Sequence, residues 1–276
     1  MSVFVAEELS EVLNTKVVIG RINMGLLNRI IIDDVLLDDQ SGQEMLKVTR
    51  LSAKFDIMPF FKGKISISSV QLFGFNINLR KETPDSPPNF KFVLDAFASK
   101  DTVKKENSLD LRINSILIRR GRMSYHVLSE EETPGKFNAK HIQLQNIIAN
   151  ISLKALSKDS LNLGIKRLSL DEKASGFSLK KMSLKLVANN KQTNIDNFTI
   201  ELPETSLKLD TIHLEYDSLK AFDRFTEQVH FSFRTLPSQV TLKDISPFVP
   251  ILSHFKEPVT LDMEVKGTVD KLICLH

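Results

Sequence analysis

The 276-residue sequence contains no tryptophan and only 2 tyrosines, against 18 phenylalanines. Its aromatic surface therefore carries almost no polar handle and suits contact with hydrocarbon, whether a ligand's or the protein's own core. Cysteine occurs once, at Cys274, which excludes a disulfide within the chain and leaves oxidising and reducing compartments equally open. No apolar run approaches the roughly 18 residues of a membrane span, and no signal peptide opens the chain. Charge of one sign is missing too. Lys+Arg 37 against Asp+Glu 34 leaves a formal charge of +3, too small and too dispersed to point to nucleic acid. The short basic cluster Arg119, Arg120 and Arg122 around Gly121 reads as the cap of a hairpin turn.

Catalytic patterns are missing as well. The chain has no Gly-x-Ser-x-Gly elbow, no Walker loop, no Gly-x-Gly-x-x-Gly after a strand and no His-Glu-x-x-His. His126, His141, His213, His230, His254 and His276 are scattered, none paired at ligand spacing. The acids of residues 38–44 invite a calcium reading, but Gly42 is misplaced for an EF-hand loop and the closing carboxylate comes too early. The expectation is a protein that is not an enzyme, with no cofactor and no metal.

What is present is a spacing. Across residues 17–55 apolar residues step by two, skip by three, then step by two again: Val17, Ile19, Ile22 and Met24; Ile30, Ile32, Val35 and Leu37; Leu46, Val48, Leu51, Ala53 and Phe55. A step of two is a strand with one apolar face, and a skip of three inside it is one extra residue, a β-bulge that bends the strand without changing its buried face. The skip recurs between Ile67 and Val70, Ile113 and Ile116, Leu144 and Ile147, Ile165 and Leu168, Leu179 and Met182, Ile195 and Phe198, and Leu209 and Ile212. Recurrence decides for bent strands over helices, because the flanking steps of two would scatter these residues around a helix. A further change of phase sits near Leu72 and Phe73.

The chain reads as one continuous β segment over 1–276. An amphipathic helix spans 2–13 and ends at Asn14, and the first strands occupy 17–80. Residues 38–44 form a turn with Gly42 at positive φ, and 56–64 break the sheet. An amphipathic helix at 87–98 carries Phe90, Val93, Leu94 and Phe97, residues 99–108 form a polar loop, and further strands fill 109–276 with helices near 218–228 and 246–255. Without βαβ alternation the sheet is a mainly antiparallel meander. The expected fold class is mainly β: an elongated, strongly curved antiparallel sheet with a few short amphipathic helices. Its apolar face must be covered by a second sheet, by closure into a barrel, or by hydrocarbon held in a lengthwise gutter. Mid-strand bends favour the last two.

Several stretches together resemble the AsmA-like family, and within it the N-terminal part of TamB-like members of Bacteroidota type. They are Leu13-Asn14-Thr15, Val17-x-Ile19-Gly20-Arg21, Asn28-Arg29-Ile30 to Asp33-Asp34-Val35, Asp39-Gln40-x-Gly42, Leu46-x-Val48-x-x-Leu51-x-Ala53, Asn89-Phe90 to Asp95-Ala96-Phe97, and Ser246-Pro247-Phe248 leading to Lys266-Gly267-Thr268. The resemblance covers nearly the whole chain but only the opening portion of such a protein. It implies a fragment of a longer periplasmic protein, anchored in the inner membrane by an N-terminal helix missing here, that folds as a β-taco with an apolar groove. It also implies an outer-membrane barrel partner of the BamA superfamily.

The expected function is lipid transport, phospholipid acyl chains lying in the groove between inner and outer membrane. The groove residues would be Val17, Ile19, Ile32, Val35, Val48, Leu51, Phe55, Ile67, Val70, Ile116, Leu144, Ile147, Leu168, Phe198 and Ile212, with Phe90, Val93, Leu94 and Phe97 as a capping helix. Ordinary core packing is the competing reading for each of them. The competing function is a scaffold whose exposed strand edges assist assembly of outer-membrane β-barrels. An uncovered last strand also allows edge pairing between two copies.

Overall fold

The computed structural model describes residues 2–26, 28–55, 67–98, 114–156 and 160–275. The break read at 56–64, the loop at 99–108 and Ile113 lie outside them. The chain is mainly β. Fifteen strands join one sheet whose main path runs β1 (Val17–Gly25), β2 (Arg29–Asp38), β3 (Glu44–Phe55), β4 (Ile67–Lys81), β5 (Ser115–Val127), β6 (His141–Leu156), β7 (Ser160–Glu172), β8 (Ser178–Asn189), β9 (Gln192–Glu201), β10 (Ser206–Glu215), β11 (His230–Thr235), β14 (Glu264–Thr268) and β15 (Lys271–Leu275). The short strands β12 (Ser238–Thr241) and β13 (Pro258–Leu261) pair with each other, and β12 also pairs with β10. Two compact units make up the chain, residues 1–148 with 171–176 and residues 149–170 with 177–276.

At one place the meander departs from the antiparallel expectation. β4 and β5 run parallel, which requires a crossover rather than a hairpin. The helix Lys91–Ala98 lies between the two strands in the chain.

Helix boundaries follow local chemistry. Asn14 ends the N-terminal helix Ser2–Leu13 in the left-handed conformation (φ 47) that asparagine tolerates at a helix terminus. Ser10 Oγ donates to the Ala6 carbonyl and accepts from the Val17 N–H, tying the helix to the strand that follows. Near 218–228 the expected helix is a 3₁₀ segment at Leu219–Arg224 followed by one α-turn at Phe225–Gln228, and within 246–255 it is a shorter 3₁₀ segment at Pro250–His254, with another at Leu242–Ile245 just before. Leu219, Phe222 and Phe225 are spaced by three, the period of a 3₁₀ helix.

In the first unit Ala6, Val17, Ile19, Leu37 and Met45 form a buried cluster, with Val5, Leu13, Phe90, Phe92 and Val93 packed against it. Both helices therefore lie on the same face of the sheet. In the second unit Tyr216, Ala221 and Val229 form a smaller cluster, Tyr216 donating to the Asn189 carbonyl and lying 2.9 Å from Thr193 Oγ1. Among the described residues no helix is long and apolar enough to cross a membrane.

Candidate functional site

Paired residues in a sheet share a face, so the registers define the apolar surface. In the first unit Ile22, Ile32, Leu51, Leu72 and Ile118 form one row across β1 to β5, and Met24, Ile30, Ala53, Val70 and Ile116 the row beside it. Ile19, Val35, Val48 and Phe75 form a third, and Val17, Leu37, Leu46, Ile77 and Met123 a fourth. In the second unit Leu186, Ile195, Ile212, Phe233 and Val265 line up across β8, β9, β10, β11 and β14. The opposite face of the first unit is mostly polar, with Arg21 paired to Asp33, Asp33 to Arg50 and Asn78 to Ser124, and Val18, Ile31, Leu36, Phe73 and Leu117 do not line up into a row across it.

Between the row of Ile22 and the row of Ile19 each strand from β1 to β5 carries the extra residue at the same height. Gly20, Asp34, Thr49, Gly74 and Arg120 drop out of the pairing, and Asp34 (φ 57), Gly74 (φ 63), Arg120 (φ 56) and Asn146 (φ 55) adopt the left-handed conformation. A bulge sets two residues against one. Here neighbouring strands share the insertion, so the register is kept and the sheet creases as a whole. In β9 and β10 the pairing skips Asn197 (φ 53) and Asp210 in the same way. Their outer neighbours β8 and β11 lack the insertion and show register shifts there.

The crease corrects one reading and locates another. Arg119, Arg120 and Arg122 lie in the middle of β5, not at a hairpin turn. Gly121 is needed because a Cβ there would sit 2.4 Å from the Phe75 ring. The phase change in β4 falls at Phe73–Gly74: Phe73 pairs with Arg50 on the polar side, where Arg120 lies 5.1 Å over its ring, and Phe75 returns to the apolar side opposite Val48.

The polar side of the crease is a cavity of about 700 Å³ lined in part by Arg21, Asp33, Asp34, Arg50, Phe73 and Arg119. Asp33, buried in the sheet, accepts from Arg50 Nε at 2.6 Å and Nη2 at 3.2 Å, and Arg21 lies 3.8 Å away. The Arg50 hydrogen bond holds the Asp33 carboxyl below the usual carboxylate range. Two other buried carboxylates organise turns. Asp39 accepts from Ser41, Gln43 and Asn89 and pairs with Arg80 at 2.7 Å; Glu172 accepts from the backbone N–H of Gln143, Ala174 and Ser175. Burial pushes both pKa values up, but the hydrogen bonds outweigh it and the net shift is downward.

The expected groove residues divide into two groups. Val17 and Ile19 are buried in the cluster beneath the helices, and Ile32, Phe90 and Val93 pack on that cluster. Val48 and Ile147 are also buried. Val35, Leu51, Ile67, Val70, Ile116, Leu144, Leu168, Phe198 and Ile212 are half-buried, and Leu94 is 58% exposed. The side chains of Phe55 and Phe97 lie outside the described set. Register brings Ile19, Val35 and Val48 into one row and Val70 beside Ile116, while Phe198 and Ile212 belong to the second unit.

Leu72, Phe75, Ile77, Ile118, Ile195 and Phe233 complete the rows and escaped the site reading. Their signal was available in the strand pattern once Gly74 and Arg120 are taken as crease positions. Sequence spacing also missed the meeting of His126 and His141, whose Nδ1 atoms lie 3.0 Å apart across the β5–β6 hairpin. No protein-family model matches the chain, and no curated protein matches it.

Proposed function

We propose that the apolar face is a lipid-carrying surface, and that the chain is a segment of a periplasmic conduit of the AsmA-like kind. The observation that carries this reading is the alignment of apolar residues into unbroken rows across successive strands, on one face only. Many of these side chains are half-buried rather than sealed in a core. An acyl chain laid along such rows keeps its methylenes out of water. At about 0.8 kcal/mol per buried CH₂, a chain of ~16 carbons would lose on the order of 10 kcal/mol on leaving for water. A continuous surface removes that barrier without a deep pocket that would trap the lipid. In this reading the surface joins inner and outer membranes and works with an outer-membrane BamA-superfamily barrel.

Mass spectrometry of organic extracts from the purified chain tests it, with a matched β-rich protein expressed and washed identically. Phospholipid at near-stoichiometric ratio is the expected result, and Ile212→Glu should abolish it while leaving the circular dichroism spectrum unchanged. Lipid no richer than in the control sinks the conduit.

The rival reading, a scaffold for β-barrel assembly, is favoured by the two ends of the sheet. Among the described residues β1 pairs only with β2 and β15 only with β14, which leaves a free edge on each. Assembly that survives Ile212→Glu but fails when prolines are placed in β15 would favour it.

A further inference from the structure

Two imidazoles and a carboxylate meet at the mouth of the β5–β6 hairpin. His126 precedes the last residue of β5, His141 opens β6, and the Val127 N–H donates to the Lys140 carbonyl at 2.9 Å, closing the base of the 128–140 loop. The His126 and His141 Nδ1 atoms lie 3.0 Å apart, with the rings tilted by 50° and their centroids 5.3 Å apart, so the nitrogens converge rather than the ring faces. His141 is buried. Its Nε2 is 3.0 Å from the Glu130 carbonyl oxygen, which only accepts; the hydrogen therefore sits on Nε2, and Nδ1 presents a lone pair. Glu132 brings Oε1 to 3.9 Å from His126 Nδ1. The ligand atoms of the three residues lie within 4.8 Å of one another, and among the described residues no other set of three His, Cys, Asp or Glu side chains comes so close.

We propose that His126, His141 and Glu132 form a divalent transition-metal site that takes Zn²⁺. Two imidazole nitrogens exclude magnesium and calcium as good guests, because those ions take oxygen ligands, whereas zinc accepts mixed nitrogen and carboxylate donors. Two Zn–N bonds of about 2.05 Å at a tetrahedral angle set their nitrogens about 3.4 Å apart. The present separation needs to open by only a few tenths of an ångström.

The hydrogen bond from His141 Nε2 to the Glu130 carbonyl is the outer contact that orients a metal-binding imidazole and fixes its tautomer. Without a cation the His126 Nδ1–H donates to His141 Nδ1; when the cation binds, the His126 proton moves to Nε2 and both lone pairs face the ion. Residues 130–132 are all glutamate, which favours a cation there, and Lys140 is held away on Glu130 at 2.7 Å. Three protein ligands leave a fourth position for water. Because Glu132 comes from the loop and the histidines from the strands, the bound ion fastens the 128–140 loop to the sheet.

Titration of the metal-free chain with ZnCl₂ by calorimetry tests the site, with Co²⁺ absorption as a second readout. One equivalent should bind at micromolar or tighter dissociation constant, and Co²⁺ should give the intense visible bands of tetrahedral coordination. His126→Gln should weaken Zn²⁺ binding at least about 100-fold and Glu132→Gln at least about tenfold, while His213→Gln leaves it unchanged. The Glu132 side chain is 61% exposed, so its substitution keeps the test open if the histidine variant fails to fold. Binding weaker than about 100 μM, or binding that both variants retain, overturns the proposal.

Discussion

The first unit and the second unit contain the same kind of fold line, handled differently. In the first, neighbouring strands from β1 to β5 all carry the extra residue, so Ile19 still faces Val35 and Ile22 still faces Ile32 on either side of it. In the second, β9 and β10 share it but β8 and β11 do not. The difference teaches that an insertion in a sheet is harmless to the apolar pattern when neighbours share it and becomes a local defect where they stop sharing it. A one-residue slip moves every following side chain to the other face.

Deletions should break this comparison with the largest effect. Removing Thr49 from β3 alone puts Leu46 and Val48 out of phase with both neighbours, and should cost more than about 4 kcal/mol, enough to unfold the first unit in urea titrations. Removing Asn197 and Asp210 together leaves β8, β9, β10 and β11 paired one for one, and should cost less than about 1 kcal/mol. Equal losses would show that the crease has no bearing on register.

Charge placed on the apolar rows comes next. Val48 is only 4% exposed, so Val48→Glu should destabilise by about 3 kcal/mol or more through an unpaired buried carboxylate. Ile212 is half-buried; Ile212→Glu should cost about 1 kcal/mol, and its lipid phenotype is then separable from unfolding. If both variants unfold alike, the second unit's face is sealed core and the conduit loses its support.

Acid sharpens the comparison within the first unit. Asp33, Asp39 and Glu172 have folded-state pKa values below their ordinary ones. A depressed folded pKa stabilises the native state above the unfolded value and loses that contribution as pH falls through the folded one. The melting temperature should be flat above about pH 5 and fall below about pH 4. Asp39→Asn should flatten that fall, since it removes one of the protons taken up; an unchanged acid limb would mean that Asp39 does not drive it.

The smallest effects separate the two left-handed chemistries. At Gly74 a Cβ would lie 2.7 Å from Thr49 Oγ1 at φ 63, so Gly74→Ala should destabilise by about 1–3 kcal/mol in urea. Asn197 already adopts φ 53 with a side chain, and Asn197→Gly should change stability by less than about 0.5 kcal/mol. A larger loss at Asn197 would assign it a contact that its backbone does not explain.

Much of the fold was legible because alternation survives the crease. In β2, β6, β9 and β10 the residues flanking the insertion are apolar, so Ile32–Val35, Leu144–Ile147, Ile195–Phe198 and Leu209–Ile212 betray it. In β4 the insertion is Gly74, and Phe73 beside it on the polar side turns the skip into a change of phase; in β5 the apolar partner is replaced by Gly121 to make room for the Phe75 ring. The phase change in β4 is therefore legible near Phe73, whereas the crease in β5 leaves no apolar skip to read. Of the expected groove, which rows share a face was written in the spacing. That Val17, Ile19 and Ile32 join the cluster packed by the two helices was not, because coverage depends on where Ala6, Phe90 and Val93 land in space. The histidine pair was invisible for the same reason: a separation of fifteen along the chain becomes 3.0 Å only through the hairpin's closure.

The line of extra residues behaves like a dislocation in a crystal, which cannot simply stop inside the lattice. In the first unit one of its ends runs out at the sheet margin, at Gly20 of β1. In the second it is pinned at both ends by point defects, the register shifts toward β8 and β11. A repeat protein built this way can gain or lose strands at the open end freely, but a strand added there must arrive already carrying its own extra residue.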